Sequence, residues 1–228
     1  MAEYSKERHE VKILKIENVT HNVRRFTVSK PGVYEFTPGQ ATDVTIDLPA
    51  WNSKRNPFTF TSLNGWGALE FTIKIYEDHG GVTNELGKLK DGDQLILHDV
   101  FGAIQYKGEG VFIAGGAGVT PFIAILRQLY NDDNIGNNTL IFSNKTSHDI
   151  IMKEEFEKML GDNFINTLTE EDNPKYDHKK IDESYLKEKI KNLDQHFYIC
   201  GPNAMVEEIH KDLLSLGVKK DKIVIEQF

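Results

Sequence analysis

Over the first half of the chain, apolar and polar positions alternate with period two in six short runs. They are VKILKI (11–16), VRRFTVS (23–29), TDVTIDL (42–48), PFTFTS (57–62), LEFTIKIY (69–76) and QLILHD (94–99). Turn signals at Pro31-Gly32, Pro38-Gly39, Asn64-Gly65 and Asp91-Gly92 separate them. The pattern predicts an antiparallel barrel or sandwich. One segment, VTNELGKL (82–89), breaks the period and reads as a short helix behind Gly80-Gly81. The first amides of such a helix lack intrahelical partners and suit an anion. In RNPFTFTS (55–62) the alternation places Phe58 and Phe60 on one edge and the hydroxyls of Thr59 and Thr61 on the other, an arrangement that buries aromatics and lines up donors.

From Val111 onward the texture changes to apolar runs that are each followed by a helical pattern: VFIA then PFIAILRQLY, TLIF then IIMKEEFEKML, FINTL then ESYLKEKIKNL, FYIC then AMVEEIHKDLLSLG. KIVIEQF closes the series. Parallel strands need a covering crossover, so this half predicts a five-stranded parallel sheet with helices on both faces. The fold class is β followed by α/β. The two textures meet near Phe101-Gly102 with no flexible linker, which assigns residues 1–102 to the first domain and 103–228 to the second.

Composition narrows the function classes. A single cysteine, Cys200, excludes an intramolecular disulfide and any cysteine-based zinc or iron–sulfur site within one chain; a reducing, cytoplasmic setting is expected. The net charge of −8, with no Arg/aromatic cluster, argues against nucleic acid. MAEYSKERHEVKILKI carries charges where an export signal needs an apolar core, and no apolar run reaches the ~18 residues of a membrane span. No Gly-x-Ser-x-Gly elbow or Walker loop is present, and no pair of histidines has zincin spacing.

Three stretches carry chemistry. FIAGGAGVTPFIAIL (112–126) is a strand, a glycine turn and a helix start: Gly116 and Gly118 let backbone approach a ligand, and Thr120 and Pro121 open a helix whose N-terminus favours a pyrophosphate. After TLIF comes SNKT (143–146), without the acid that takes a ribose 2′-hydroxyl. Ser143 and Lys145 there suit a 2′-phosphate, so NADPH is expected over NADH. YICGPNAM (198–205) ends a strand at Cys200 and turns at Gly201-Pro202. Ligands of open α/β sheets bind at that edge, which lifts Cys200 above its default as a small buried hydrophobe.

PGQ (38–40), RNPFTFTS, GGVT (80–83), FG (101–102), GGAGVTP (115–121) and CGPNAM (200–205) stand in the order and spacing of the ferredoxin–NADP reductase superfamily, which the chain resembles over nearly its whole length. The resemblance implies a six-stranded Greek-key barrel carrying FAD and a Rossmann-like domain carrying NADPH or NADH. It also implies roles. The family's Arg-x-Tyr-Ser/Thr motif aligns with Asn56, Pro57, Phe58 and Thr59, so that Phe58 packs on the flavin and Thr59 hydrogen-bonds near its N5. Gly80, Gly81, Val82 and Thr83 hold the FAD pyrophosphate, and GGAGVTP holds that of the nicotinamide nucleotide. Cys200 faces the nicotinamide, and the terminal aromatic Phe228 covers the flavin. Two residues depart from the pattern: Asn56 replaces the arginine, with Arg55 displaced by one position, and Phe58 replaces the tyrosine.

The implied activity is hydride transfer from NAD(P)H to FAD, with electrons leaving to an external acceptor such as ferredoxin or flavodoxin, since the chain has no acceptor module of its own. The alternative is a regulatory or assembly subunit that keeps the fold without turnover. Asn56 is the feature that favours it.

Overall fold

The computed structural model describes residues 7–102 and 104–225. Strands β1 (His9–Asn18), β2 (Val23–Ser29), β3 (Ala41–Ile46), β4 (Asn56–Thr59), β5 (Ala68–Lys74) and β6 (Gln94–Phe101) form an antiparallel sheet in the order β4-β3-β6-β1-β2-β5. Its ends meet. Past Thr59 the chain leaves β3 and bridges to β5 through Phe60 and Phe71, with the Thr61 amide donating to the Glu70 carbonyl at 2.8 Å. The sheet therefore closes into a barrel, which removes its exposed edges.

That crossover changes the expected layout of the 57–62 run. Phe60 is fully buried in the barrel core, stacked on Phe36 with ring centroids 4.1 Å apart, whereas Phe58 is only partly buried. Thr59 and Thr61 are both buried. The run ends as a strand at Thr59 because its next two residues pair with a different neighbour. The predicted helix at 82–89 is the shorter α1 (Val82–Leu86), which stops at Gly87, whose carbonyl accepts from Arg24 Nη1.

The second half alternates as expected: β7 (Gly110–Gly115), α2 (Thr120–Asn131), β8 (Thr139–Asn144), α3 (Lys153–Leu160), β9 (Phe164–Leu168), α4 (Glu183–Lys189), β10 (His196–Cys200), α5 (Asn203–Ser215) and β11 (Ile223–Ile225). The strands are parallel, in the order β11-β10-β7-β8-β9. Successive side chains face opposite sides. Phe112, Phe142 and Tyr198 pack under α2 and α3, while Ile113, Ile141 and Ile199 pack under α4 and α5. Val23 of the barrel and Ile104 of the connecting segment are buried within the α2/α3 core. The Pro38-Gly39 turn presses on it as well: Gly39 has φ +93°, and a Cβ there would meet the Ile104 carbonyl and, at 3.0 Å, Ile125 Cδ1. Among the described residues no helix is long and apolar enough to cross a membrane.

Candidate active site

The sheet order puts β7 and β10 side by side, with chain crossovers leaving them in opposite directions. Such a switch point opens a crevice at the carboxyl ends of the two strands. Here those ends are Gly115 and Cys200. A one-turn 3-10 helix, Gly116–Val119, joins β7 to α2, and Thr120 Oγ1 donates to the Ala117 carbonyl at 3.0 Å to fix the junction. Pro121 lies in the first turn of α2, where its missing N–H costs nothing. The turn is pressed against its neighbour, since a Cβ on Gly118 would collide with the Cys200 carbonyl and Gly201 Cα.

Two joined cavities run from this crevice to the barrel. The larger, of about 540 Å³, is lined by Gly116, Gly118, Ser143, Lys145, Cys200, Gly201 and Pro202, together with Asn144, Asp149 and Thr169. The smaller, of about 210 Å³, is lined by Pro57, Phe58 and Thr59 of β4, Thr83 of α1, and Gly118, Thr120 and Cys200. Lys74 and Tyr76 at the end of β5, with Ala117, Gly118 and Cys200, belong to both. Cys200 and Gly118 thus stand where the two spaces meet, opposite Phe58 and Thr59.

The electrostatics are concentrated at the outer end of the larger cavity. Lys145 Nζ is 2.8 Å from Glu170 Oε1, and that hydrogen bond holds the ammonium pKa above its ordinary value. Both side chains are exposed, so the pair is weak and exchangeable. Asp149 supplies an acid that sequence reading did not place here. Its Oδ2 accepts from the Thr146 amide at 2.9 Å and hydroxyl at 2.7 Å. Beside it the buried carboxamide of Asn144 has neither its oxygen nor its nitrogen hydrogen-bonded among the described residues. A buried amide without partners is costly. The smaller cavity fits a flavin ring in kind: it offers a half-buried aromatic face, a threonine and a cation.

Most predicted site residues meet at this cleft, and some do not. Arg55 is exposed, Asn56 is partly buried, and neither lines either of these two cavities. Gly80 and Gly81 lead into α1 outside both spaces, and the Val82 side chain is buried in the barrel core, leaving only backbone for a ligand. Pro121 is buried in the first turn of α2, and Phe228 lies outside the described residues. Lys74, Tyr76, Asp149 and Thr169 were missed, while the amide of SNKT, Asn144, lines the larger cavity. The last residues of LEFTIKIY were legible as a strand end, but nothing local shows that this end faces the nucleotide turn.

The family described as oxidoreductase FAD-binding domain matches residues 10–106, and the oxidoreductase NAD-binding domain matches residues 112–211. The reductase component of propane 2-monooxygenase from Rhodococcus jostii is 28% identical over 95% of this chain and 62% of its own length. The chain therefore spans less than two thirds of that relative. A probable dihydroorotate dehydrogenase B (NAD(+)) electron transfer subunit from Pyrococcus furiosus is 30% identical over 84% of this chain and 69% of its own. In fold, a ferredoxin NADP+ reductase from Neisseria gonorrhoeae, solved with bound FAD and NADP, superposes with a TM-score of 0.83 at 22% identity, covering 96% of this chain and 97% of that one. The chain belongs to the ferredoxin–NADP reductase superfamily of FAD-dependent, nicotinamide-nucleotide-binding oxidoreductases.

Proposed function

We propose that the protein brings NAD(P)H and FAD together in this cleft for hydride transfer and hands the electrons to a separate protein. The observation that carries the reading is the junction of the two cavities at Cys200 and Gly118, opposite Phe58 and Thr59. When bound, FAD accepts a hydride and releases its electrons singly, and the protein's contribution is orientation and exclusion of water. Residues 1–102 are the FAD-carrying unit and 103–228 the nucleotide unit in this reading.

Phe58 offers its ring to the flavin face, Thr59 donates near N5, and the backbone of Gly80 to Thr83 receives the FAD pyrophosphate. Gly116 to Pro121 receives the second pyrophosphate, and Cys200 limits the nicotinamide's position by shape and polarisability. Lys145 exchanges Glu170 for a 2′-phosphate, with Ser143 beside it, which favours NADPH. The external acceptor is a small iron–sulfur protein of the ferredoxin kind or a flavodoxin, and the setting is cytoplasmic. The Rhodococcus relative, named as a reductase component, and the Neisseria ferredoxin reductase support a protein acceptor.

The test is anaerobic titration of the FAD-loaded protein with NADPH and NADH, followed by reduction of ferredoxin or flavodoxin. Bleaching of the flavin, with NADPH having the higher kcat/KM and Lys145→Ala lowering it more for NADPH than for NADH, is expected. A protein that binds no FAD, or whose FAD neither nucleotide reduces, would sink the proposal. Parallel losses for both nucleotides in Lys145→Ala would remove only the 2′-phosphate assignment.

A further inference from the structure

Behind the cleft, on the far side of its walls, lies a buried cluster of charges that the activity does not use. Arg127 of α2 is 7% exposed. Its Nη1 donates to the Thr61 carbonyl at 2.5 Å and to Glu70 Oε1 at 2.6 Å, and its Nε and Nη2 hold Glu155 Oε1 and Oε2 at 2.5 and 2.9 Å. Glu70 Oε1 also accepts from the Thr61 hydroxyl at 2.8 Å, and the Trp66 ring covers the guanidinium 5.2 Å away. Thr61, Glu70 and Trp66 come from the barrel, whereas Arg127 and Glu155 come from the helices over the parallel sheet. Nη1 therefore crosses the boundary between the two halves to Thr61 and Glu70, while Nε and Nη2 anchor the guanidinium to Glu155 of α3 within the second half.

Its placement along the chain gives this a purpose. Thr61 lies two residues, about 7 Å, beyond Thr59 in the barrel wall of the cleft. Arg127 lies seven residues, about 10 Å, beyond Thr120 in the opposing wall, on one continuous helix. Both walls are thus tied by a single group directly behind the space they enclose. Buried ion pairs are poor stabilisers relative to apolar packing, but their fixed geometry specifies one arrangement.

We infer that Arg127 is a positioning residue: its Nη1 contacts to Thr61 and Glu70 lock α2 against the barrel, with Glu155 of α3 holding the guanidinium in place, and set the separation of the Phe58–Thr59 wall from the Gly118–Cys200 wall. The inference deepens the proposed function and rests on it for its kinetic consequence only. Removing the lock leaves each half able to bind its own nucleotide while the two rings lose their register. A misplacement of an ångström is enough to slow a transfer about 10- to 100-fold.

Arg127→Met alone strands the buried Glu70 and the partly buried Glu155 carboxylates, so the informative variant is Arg127→Met with Glu70→Gln and Glu155→Gln, which removes these three charges together and leaves Arg25, 3.8 Å from Glu70 Oε2, its pairing with Glu17. Arg127→Lys, which keeps the charge and loses the fork, serves if the neutral variant does not fold. The expected result is FAD and nucleotide affinities within about three-fold of wild type, with flavin reduction at saturating NADPH slowed about 10-fold or more and partly restored in Arg127→Lys. A second readout needs neither cofactor. Nitroxide labels at Ser53→Cys and Lys211→Cys in a Cys200→Ser background report the distance between the halves by pulsed electron resonance, narrow with the fork and broadened without it. A folded neutral variant with unchanged reduction rate and an unbroadened distance overturns the inference, as does a loss of FAD affinity large enough to explain the rate. If wild-type flavin is reduced by neither nucleotide, the proposed function fails. The distance measurement then decides the lock by itself.

Discussion

Asn56 stands in β4 where the family's motif carries arginine, and the exposed Arg55 beside it lines neither cavity. A charge-assisted contact to a phosphate contributes about 1.5 to 3 kcal/mol. Asn56→Arg should therefore tighten FAD by about ten-fold or more in a binding titration, with Arg55→Ala weakening it only if the displaced arginine has taken over the contact. Unchanged affinity in Asn56→Arg would show that this strand position does not reach the phosphates. His98 of β6 makes a second residue-scale case. It is 6% exposed with Nε2 3.0 Å from Thr45 Oγ1. Burial chiefly, and Arg55 next, hold its pKa below the ordinary imidazole value, against the opposing carboxylates of Asp43 and Asp99; Arg8 adds to the lowering. The unfolded chain then binds a proton more readily than the folded one. The stability His98 contributes is present above about pH 6.5 and is lost as the pH falls through its depressed folded value. In melting curves from pH 7 down to pH 5, His98→Gln should lose less Tm than wild type; equal losses would assign the acid sensitivity elsewhere.

The junction of β7 with α2 shows how an element depends on one missing methyl group. A side chain on Gly118 meets backbone, the Cys200 carbonyl and Gly201 Cα, and backbone cannot swing away as a flexible side chain does. Gly118→Ala should cost about 1 to 3 kcal/mol in denaturant unfolding and weaken NADPH at least ten-fold by pushing the two turns apart. Wild-type affinity in that variant would mean that the turns do not form the nucleotide's seat. Such elements were largely readable in advance: β2 matches its period-two run from Val23 to Ser29, and the glycine turn between an apolar run and Pro121 is where a strand hands over to a helix. What was not readable is what distant elements do to each other. SNKT looked free of acid because sequence distance hides that β8 and β9 end side by side, which brings Glu170 to Lys145. The alternation in PFTFTS likewise gave no sign that Phe60 would change partners from β3 to β5. Arg127 stands inside the run PFIAILRQLY, and no local pattern marks it because its partners Glu70 and Glu155 lie on other elements.

At the scale of the whole molecule, the change of texture near Phe101 reads as a seam between two domains, and the two sheets do fall on either side of it. The cores do not divide so cleanly. Val23, 2% exposed on barrel strand β2, is packed in the cluster built by α2, α3 and the parallel sheet, with Val19 partly buried against it. The consequence concerns melting as one body. Neither half can unfold without uncovering apolar surface on the other, so calorimetry of the full chain should give a single endotherm whose van't Hoff and calorimetric enthalpies agree. Val23→Asp, which puts a charge into the shared cluster, should split or broaden that transition as well as lower it. Two resolved peaks in the unaltered protein would mean that the seam is thermodynamic as well as topological. Residues 1–102 made alone would present Val19 and Val23 to water, and such a fragment would be expected to self-associate more than the full chain.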